Sequence, residues 1–364
     1  MKKLVVKTTS NNYPVIIGVD IIKFLPRLIE ERNLPKRLFV IIDENVDKHF
    51  GSIVKKFLSP FGTKIGFITL RASEKIKSFK TLQQLYSKLS DKNFGRDSLI
   101  VAIGGGTIGD VAGFTASTYM RGLPLIHIPT TLLSSVDSSI GGKTAINFRD
   151  AKNLIGTFYQ PELVLIDLNF LNTLPRKEII SGLGEVVKYS YLTDDQFYEE
   201  LLSKSDKLLK KDLNYLSRVI YECVKIKAAV VSQDEKEVFG VRKILNFGHT
   251  FAHAFESNSS YKISHGKAVL AGIISALFLS KKKGLIGEHQ LKRMIELPLK
   301  FKSVINLKDF GEKEIFRLMS YDKKRREEKQ KFVLIRNFGE VIVDLEAQRK
   351  EVYDALGKTR EHLV

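Results

Sequence analysis

The sequence predicts an α/β N-terminal domain followed by a mostly α-helical C-terminal domain. Short apolar runs alternate with amphipathic runs up to about residue 168, and beyond that point the strand signal nearly disappears. Such alternation is typical of a mainly parallel sheet with helices on its faces. At 364 residues the chain is also too long for one ordinary core. We therefore predict two domains, residues 1–168 and 169–364, and ligands commonly bind between such halves.

Each predicted strand is a short aliphatic or β-branched run bounded by polar or turn residues. The predicted strands are 4–6, 15–18, 38–42, 65–70, 99–103, 125–128 and 163–166. Helices are predicted where apolar residues recur three and four positions apart, at 45–58, 78–90, 195–209 and 215–231. In the C-terminal half, 331–343 is typical of a hairpin with a glycine turn, and the tail 346–364 is predicted to be a helix.

The bulk properties exclude several classes of protein. A formal charge of +18 is unusual, but the basic residues are spread along the chain and their densest runs lack interleaved aromatic residues. We therefore expect a solvated basic surface that attracts small anions, and no nucleic-acid partner. No apolar stretch reaches the ~18 residues of a membrane span, and the N terminus lacks a signal-peptide pattern. The single cysteine, Cys223, excludes an internal disulfide, so a cytoplasmic location is expected.

A glycine-rich turn follows the predicted strand 99–103. Its glycines at positions 104, 106 and 109 fit G-x-G-x-x-G, in which backbone amides approach a diphosphate at a helix start. The pattern alone is weak, because a tight strand-to-helix turn also satisfies it. The chain lacks the usual acid about 20 residues downstream, and Asp43, after the strand 38–42, is the candidate ribose partner. The turn indicates a Rossmann-like nicotinamide site of a non-standard kind.

Further polar residues are concentrated in the run 137–147, which contains an acid, two hydroxyls, a glycine pair and a lysine. A core helix or strand has little use for that mixture, whereas a site for a phosphorylated, polyhydroxylated substrate would use every member. Elsewhere, isolated basic or amide residues stand beside apolar ones, and each alone is most simply a solvated side chain. Together they would clamp a phosphate, a carboxylate and hydroxyls. These residues are Lys143, Lys152, Asn153, Lys188, Lys227, Arg242 and Asn246.

Three of the seven histidines fall within residues 249–265. A catalytic zinc site needs about three nitrogen or oxygen ligands and an open position. His249 and His253 lie four apart, on one face of a helix, and form the simple pair, with Glu185 as the oxygen donor; His265 follows beside a glycine. Spacing alone does not settle which histidines bind. Structural histidines and a surface ion pair between Glu185 and Lys188 are the alternative.

Along nearly its whole length the chain resembles the 3-dehydroquinate synthases, a family of sugar phosphate cyclases. The matching segments are 104–110, 119–122, 129–132, 136–145, 152–156, 184–188, 246–249 and 265–266. The resemblance implies a dehydroquinate synthase-like fold, with an N-terminal cofactor domain and an α-helical C-terminal domain. It also implies a homodimer, bound NAD and one zinc or cobalt ion. Departures from the family pattern include Gly184, where alanine is common, Lys243, and a segment 237–242 that is one residue longer.

The resemblance also implies roles for individual residues. The metal ligands would be Glu185, His249 and His265, which leaves His253 at the substrate. The cofactor positions would be Asp43, Glu74, Lys77, Gly105, Gly106, Asp110, Thr130, Thr131, Lys143, Lys152 and Thr173. The catalytic positions would be Lys143, Lys188, Lys227, Arg242, Asn246 and His253, and the substrate positions Arg121, Asp137 and Asn153. Arg121 would reach the neighbouring subunit's phosphate pocket, and Lys323 or Lys324 would close the site.

The implied activity is that of a carbon–oxygen lyase. It converts 3-deoxy-D-arabino-heptulosonate 7-phosphate to 3-dehydroquinate and phosphate, an early step of the shikimate pathway toward chorismate. The steps are transient oxidation by NAD, phosphate elimination, re-reduction and an intramolecular aldol closure. The alternatives are another sugar phosphate cyclase and a metal-dependent polyol dehydrogenase of similar fold. A dehydrogenase needs no group of residues that binds phosphate. The presence of such residues therefore disfavours this alternative; they are Lys152, Asn153, Arg242 and Asn246.

Overall fold

The computed structural model describes residues 1–149, 151–260, 262–305, 307, 310–321 and 329–364; Lys323 and Lys324 lie outside these ranges. The chain forms two compact units. The first comprises residues 1–175 and 213–236, and the second comprises 176–212 and 237–364. The sequence predicts a single boundary at residue 168. The observed division differs from it, because the segment 213–236 groups with the first unit. Assignment of cofactor and substrate roles to two domains stays a prediction.

Secondary structure follows the predicted pattern closely. The strands are β1 (Lys2–Val6), β2 (Tyr13–Gly18), β3 (Arg37–Asp43), β4 (Ile65–Leu70), β5 (Ser98–Gly104), β6 (Leu125–Pro129), β7 (Lys143–Phe148), β8 (Ala151–Phe158), β9 (Leu163–Asp167), β10 (Lys329–Asn337) and β11 (Glu340–Gln348). The α-helices are α1 (Leu25–Glu31), α2 (Glu44–Leu58), α3 (Phe79–Asp91), α4 (Gly106–Thr118), α5 (Arg176–Tyr191), α6 (Asp195–Leu209), α7 (Leu213–Gln233), α8 (His249–Asn258), α9 (His265–Lys282), α10 (Glu288–Lys300), α11 (Lys302–Ile305), α12 (Glu312–Tyr321) and α13 (Arg349–Leu363). The predicted N-terminal strands are confirmed, each within two residues at either end.

The first unit is built on a seven-stranded sheet with the order β1-β2-β9-β6-β5-β3-β4. All neighbouring strands run parallel except the edge pair β1 and β2. Both faces of the sheet are covered, because successive side chains of β3 enter different cores: Val40 packs in the core that includes α1 and α2, and Ile41 in the core that includes α3 and α4. Helix α7 also belongs here and packs on β1 and β2.

The strand order reverses between β3 and β5. After β3 the chain moves outward to β4, then returns to the other side of β3 to form β5 and, beyond it, β6. In open α/β sheets, ligands bind beyond the carboxyl ends of the strands at such a switch point. The residues that follow β3, β5 and β6 therefore lie where a cofactor is expected.

A second, two-stranded sheet was not expected from the sequence. It is the antiparallel hairpin of β7 and β8, which lies within the polar region interpreted as site loops. Most residues of β8 are exposed, so the run lacks the apolar alternation by which a strand is recognised. Its Asn153 has a φ of +54°, a left-handed conformation that is costly for a residue other than glycine.

The second unit is mainly helical and is organised around α9. This helix is buried over nearly its whole length, and α5, α8, α10 and α13 pack on it. The predicted hairpin is confirmed as β10 and β11, and the predicted tail helix begins slightly later, at Arg349. Among the described residues, no helix combines the length and the apolar character needed to cross a membrane.

Helix α10 contains a proline whose missing N–H is replaced by tyrosine hydroxyls. Pro298 cannot donate to the carbonyl of Met294 four residues earlier. The hydroxyl of Tyr191 donates to that carbonyl instead, and the hydroxyl of Tyr198 donates to the carbonyls of Arg293 and Met294, at 2.6 and 3.0 Å. The N–H of Leu297 in turn donates to the Tyr198 hydroxyl at 3.1 Å. The proline is therefore tolerated because two buried side chains satisfy the backbone groups around it.

Candidate active site

Three side chains of the second unit converge on one point. Glu185 lies on α5, and His249 and His265 are the first residues of α8 and α9. Nε2 of His249 lies 3.3 Å from Oε1 of Glu185, and Nε2 of His265 lies 3.1 Å from the same oxygen. One ligand atom from each of the three residues lies within 4.8 Å of the others. Residues 80 positions apart in the chain are therefore brought into one cluster.

Two glycines allow the helices that carry this cluster to approach each other. A Cβ atom on Gly184 would lie 2.4 Å from the carbonyl oxygen of Gly266, and a Cβ atom on Gly266 would lie 2.1 Å from the carbonyl oxygen of Ser181. Both distances are shorter than any acceptable contact, so α5 and α9 pack this closely only without side chains at these positions. Gly184, a departure from the family's common alanine, therefore lies directly beside the cluster and supports its geometry.

The electrostatics keep the central carboxylate ionised. Glu185 is 1% exposed and forms an ion pair with the equally buried Lys188. Burial raises the pKa of Glu185, but the charges of Lys188 and His249 outweigh it and hold the pKa well below its usual range. For His265, burial lowers the pKa, whereas hydrogen bonds and charge from Glu185 and Glu256 raise it to about 10. An ionised carboxylate, paired with Lys188, therefore lies at the point where the two histidines meet.

This donor set fits a divalent metal ion. Two imidazole nitrogens and one carboxylate oxygen face a common point, which is the ligand number of a catalytic zinc site with one position left for water or substrate. The pair expected from spacing alone is not the one that meets Glu185, because His253 is exposed and contributes no atom to the three-residue cluster. His265, the ligand implied by the resemblance, lies in the cluster instead.

In the first unit, a buried lysine joins residues assigned to the cofactor and to the substrate. Nζ of Lys77, which is 4% exposed, lies 2.6 Å from Oδ2 of Asp110 and also donates to Oδ1 of Asn153. Glu74 lies at 3.9 Å from the same ammonium. Burial raises the pKa of Asp110 to about 6, although Lys77 opposes that rise. Lys77 therefore contacts three other predicted site residues. They are Glu74, Asp110 and Asn153.

A second polar pair of the first unit consists of Asp137 and Lys227. Asp137 lies in a π-helical turn, Ser134–Ser138, a rare conformation that is frequent at functional sites. Nζ of Lys227, on α7, donates to Oδ1 of Asp137 at 2.7 Å and to its backbone carbonyl at 2.8 Å. Together with the packing of α7 on β1 and β2, this contact joins α7 to the first unit.

The carboxyl ends of β3, β5 and β6 form a surface suited to a dinucleotide. Gly105 precedes the first turn of α4, and a Cβ atom on Gly105 or Gly106 would lie 3.0 Å from Thr131 or Ser138, respectively. The two glycines therefore allow the start of α4 to lie close against Thr131 and Ser138. The N-terminus of a helix is a place where anions bind. Asp43 ends β3 and caps α2 by accepting a hydrogen bond from the Asn45 N–H at 2.7 Å. The N–H of Thr130 donates to the Gly104 carbonyl at 3.0 Å.

The remaining predicted residues occupy both units. Arg242 is 1% exposed, an unusual burial for a guanidinium, and lies 3.9 Å from Glu237; Asn246 is exposed and ends the same 3₁₀ segment, Val241–Asn246. Four side chains of the first unit are exposed, and their roles stay predictions. These are Arg121, Lys143, Lys152 and Thr173.

Sequence reasoning missed one residue at the metal cluster, Glu256. Its Oε1 lies 3.4 Å from Nδ1 of His265. The signal that was available is its spacing, since positions 249, 253 and 256 share one face of α8.

Comparisons with solved structures define the class of protein. The valiolone synthase ValA from Streptomyces hygroscopicus subsp. jinggangensis 5008, solved with NAD+ and Zn2+, is 25% identical with a TM-score of 0.84, and the match covers 96% of this chain and 97% of that one. A 2-deoxy-scyllo-inosose synthase complexed with carbaglucose-6-phosphate, NAD+ and Co2+ matches with a TM-score of 0.89 at 24% identity, over 98% and 100% of the two chains. An iron-containing alcohol dehydrogenase from Thermotoga maritima is more distant, with a TM-score of 0.65. The fold is that of the sugar phosphate cyclases.

Sequence comparisons identify the family within that class. Residues 67–181 match the N-terminal domain and residues 182–325 the C-terminal domain of 3-dehydroquinate synthase. The 3-dehydroquinate synthase of Alkaliphilus metalliredigens is 39% identical over 342 residues, 94% of each chain. That of Pelagibacter ubique is 38% identical over 359 residues, 96% of each chain. The chain belongs to the 3-dehydroquinate synthase family.

Proposed function

We propose that the chain catalyses the conversion of 3-deoxy-D-arabino-heptulosonate 7-phosphate to 3-dehydroquinate and phosphate. The observation that carries this proposal is the convergence of Glu185, His249 and His265 on one point in a member of this family. Curated relatives that are 36–39% identical over most of the chain are named for this activity. The likeness to 2-deoxy-scyllo-inosose synthase, at 24% identity, extends to the fold alone.

We assign Glu185, His249 and His265 as ligands of one zinc or cobalt ion, and the carboxyl edge of β3, β5 and β6 as the NAD site. When bound, the ion would act as a Lewis acid toward a substrate hydroxyl, and NAD would accept and return one hydride without net oxidation. The donor set, and the start of α4 directly after β5, support these assignments. The two neighbours above were solved with Zn2+ and with Co2+, so both ions are included in the proposal.

The chain's own residues would bind and orient the substrate. Lys188 holds the Glu185 carboxylate in its ionised form through a buried ion pair. Ammonium and guanidinium groups would neutralise the substrate's carboxylate and the departing phosphate. The residues proposed for that task are Lys143, Lys152, Lys227, Arg242 and, from a neighbouring subunit, Arg121. The residue proposed to relay protons is His253, which is exposed and whose ring lies 5.6 Å from that of His249.

A homodimer is part of the proposal, and an exposed apolar patch on the first unit supports it. Phe148, Leu154 and Phe158 of the β7–β8 hairpin are 37%, 62% and 38% exposed, and Phe79 and Met120 are 53% and 43% exposed. Within the described part of the chain the hairpin pairs with no further strand, so each strand has an open edge. The rings of Phe79 and Phe148 lie 6.1 Å apart, and exposed apolar surface of this kind is frequent at association sites.

The dimer is tested by Leu154→Lys, which places a charge on the patch without disturbing a core. We expect sedimentation velocity to show a wild-type dimer and a monomeric variant. Val19→Lys, at a 46% exposed position outside the patch, is the matched control and keeps the dimer. A Leu154→Lys protein that still sediments as a dimer would place the interface elsewhere.

We also propose a cytoplasmic location, which suits the single buried Cys223.

The activity is tested by incubating the protein with the heptulosonate phosphate, a catalytic amount of NAD and Zn2+ or Co2+. We expect equimolar phosphate and dehydroquinate, with no accumulation of NADH. A steady rise of NADH absorbance would instead identify a dehydrogenase. Turnover of a different sugar phosphate, without turnover of this one, would identify another cyclase.

A further inference from the structure

Glu256 lies on the same face of α8 as His249 and contacts the other histidine of the cluster. Its carboxylate Oε1 is 3.4 Å from Nδ1 of His265, and its side chain is 13% exposed. Nδ1 is the ring nitrogen opposite the one that faces Glu185, since Nε2 of His265 lies 3.1 Å from that carboxylate. Glu256 is therefore placed behind the imidazole and outside the common point of the three ligand atoms.

The two imidazoles of the cluster have the same orientation. Each directs Nε2 toward Oε1 of Glu185, and each directs Nδ1 toward an oxygen acceptor. The acceptor is the backbone carbonyl of Phe247 for His249, at 3.3 Å, and the carboxylate of Glu256 for His265. An acceptor at Nδ1 fixes the proton on that nitrogen and leaves Nε2 free to bind a metal ion.

The two acceptors differ in a way that a mutation reveals. The carbonyl of Phe247 belongs to the backbone that leads into α8, so His249 is oriented by the fold itself. His265 depends on a side chain, and its own side chain is 29% exposed at the start of α9. A charged acceptor also makes the imidazole a stronger ligand than a neutral one does.

We propose that Glu256 is a positioning residue of the metal centre: its carboxylate accepts the Nδ1–H of His265, fixes the orientation of the ring and raises the affinity of the cluster for a divalent ion. The inference rests on the metal site proposed above and assigns Glu256 no direct bond to the ion.

Metal affinity of the purified full-length chain tests the inference without an activity assay. The metal-free wild type, Glu256→Ala, Glu256→Gln and a control, Glu361→Gln, are titrated with Zn2+ against a chromophoric chelator. Glu361 is 60% exposed and pairs with Lys358 on α13, so its removal changes one acidic charge of the same unit away from the cluster. Visible spectra of the Co2+ forms report the ligand set, and circular dichroism reports the fold.

We expect Glu256→Ala to weaken Zn2+ binding by about 10- to 100-fold, the usual effect of removing an outer partner of a ligating histidine. Glu256→Gln, whose amide oxygen still accepts from Nδ1–H, loses less, and the control binds like the wild type. The Co2+ spectra keep the same ligand set. Should Glu256→Ala not fold, the Gln variant carries the comparison against Glu361→Gln.

Wild-type affinity in both Glu256 variants would overturn the inference, as would a Co2+ spectrum showing that a direct ligand had been lost. A wild-type protein that binds neither Zn2+ nor Co2+ would overturn the metal site itself, and this inference with it. The two failures are therefore distinguishable.

Discussion

The carboxylate of Glu235 is predicted to be a major source of stability of the first unit at neutral pH. It lies just after α7, is 7% exposed, and accepts hydrogen bonds from two other parts of the unit. The backbone N–H groups of Thr9 and Ser10 donate at 2.9 and 3.1 Å, and both hydroxyls donate as well. Nε2 of Gln160 donates at 3.0 Å. The carboxylate therefore ties the loop between β1 and β2 to the ends of α7 and β8.

The size of this contribution to stability follows from the pKa of the Glu235 carboxyl group. Burial raises the pKa of Glu235, but the hydrogen bonds from Ser10, Thr9 and Gln160 outweigh it and lower the pKa from 4.5 to about 2. This lowering of the pKa by about 2.5 corresponds to roughly 3 kcal/mol of unfolding free energy. Because the folded-state pKa is the lower one, this stability is fully present above about pH 4.5 and is lost as the pH falls toward 2.

The assay is urea unfolding of the wild type and Glu235→Gln, followed by far-UV circular dichroism at several pH values. We expect the variant to be about 3 kcal/mol less stable at pH 7. The difference should shrink below pH 4.5, because the carboxylate of the unfolded wild-type chain then becomes protonated before that of the folded chain. Glu31→Gln removes a half-exposed ion pair with Arg27 and serves as the control, with a loss of at most about 1 kcal/mol. Equal stabilities at pH 7, or a difference that does not change with pH, would refute the reasoning.

Two further substitutions test other parts of the structure. Tyr198→Phe removes the hydroxyl that satisfies the backbone beside the proline of α10, and we expect a loss of about 1–2 kcal/mol in urea unfolding. Tyr86→Phe, which removes an exposed hydroxyl contact, should cost much less, and equal losses would contradict the account. Asp137→Asn removes the charge that faces Lys227, and we expect kcat/KM to fall about 10- to 100-fold, or 1.4–2.8 kcal/mol. An unchanged kcat/KM would show that the pair has no part in the reaction.

The sheet of the first unit was predictable from sequence because of where its strands lie. Strands β3 and β5 are buried on both faces, so each is a nearly continuous aliphatic run that a pattern search finds easily. The β7–β8 hairpin could not be predicted from sequence, because β8 is largely exposed and polar. Its position depends on contacts with α4, which lie far away in sequence.

The site was predictable in its residue types but not in its arrangement. Spacing favoured His249 with His253, because four-residue neighbours share a helix face. Which histidine reaches Glu185 is decided by the close packing of α5 on α9 at Gly184 and Gly266, a long-range contact that local spacing does not report. The sequence alone offered Glu185 as the oxygen donor, but the ligand role of His265 in place of His253 followed only from the resemblance to a family.

The most direct test of the central claim measures metal content and phosphate release on the same preparations of wild type and Glu185→Gln. The account predicts one Zn2+ or Co2+ per wild-type chain and phosphate release matched by dehydroquinate. In Glu185→Gln both should be lost while circular dichroism shows a folded protein, and Glu178→Gln, on the same helix, should behave as the wild type. Wild-type metal content together with full turnover in Glu185→Gln would contradict the account.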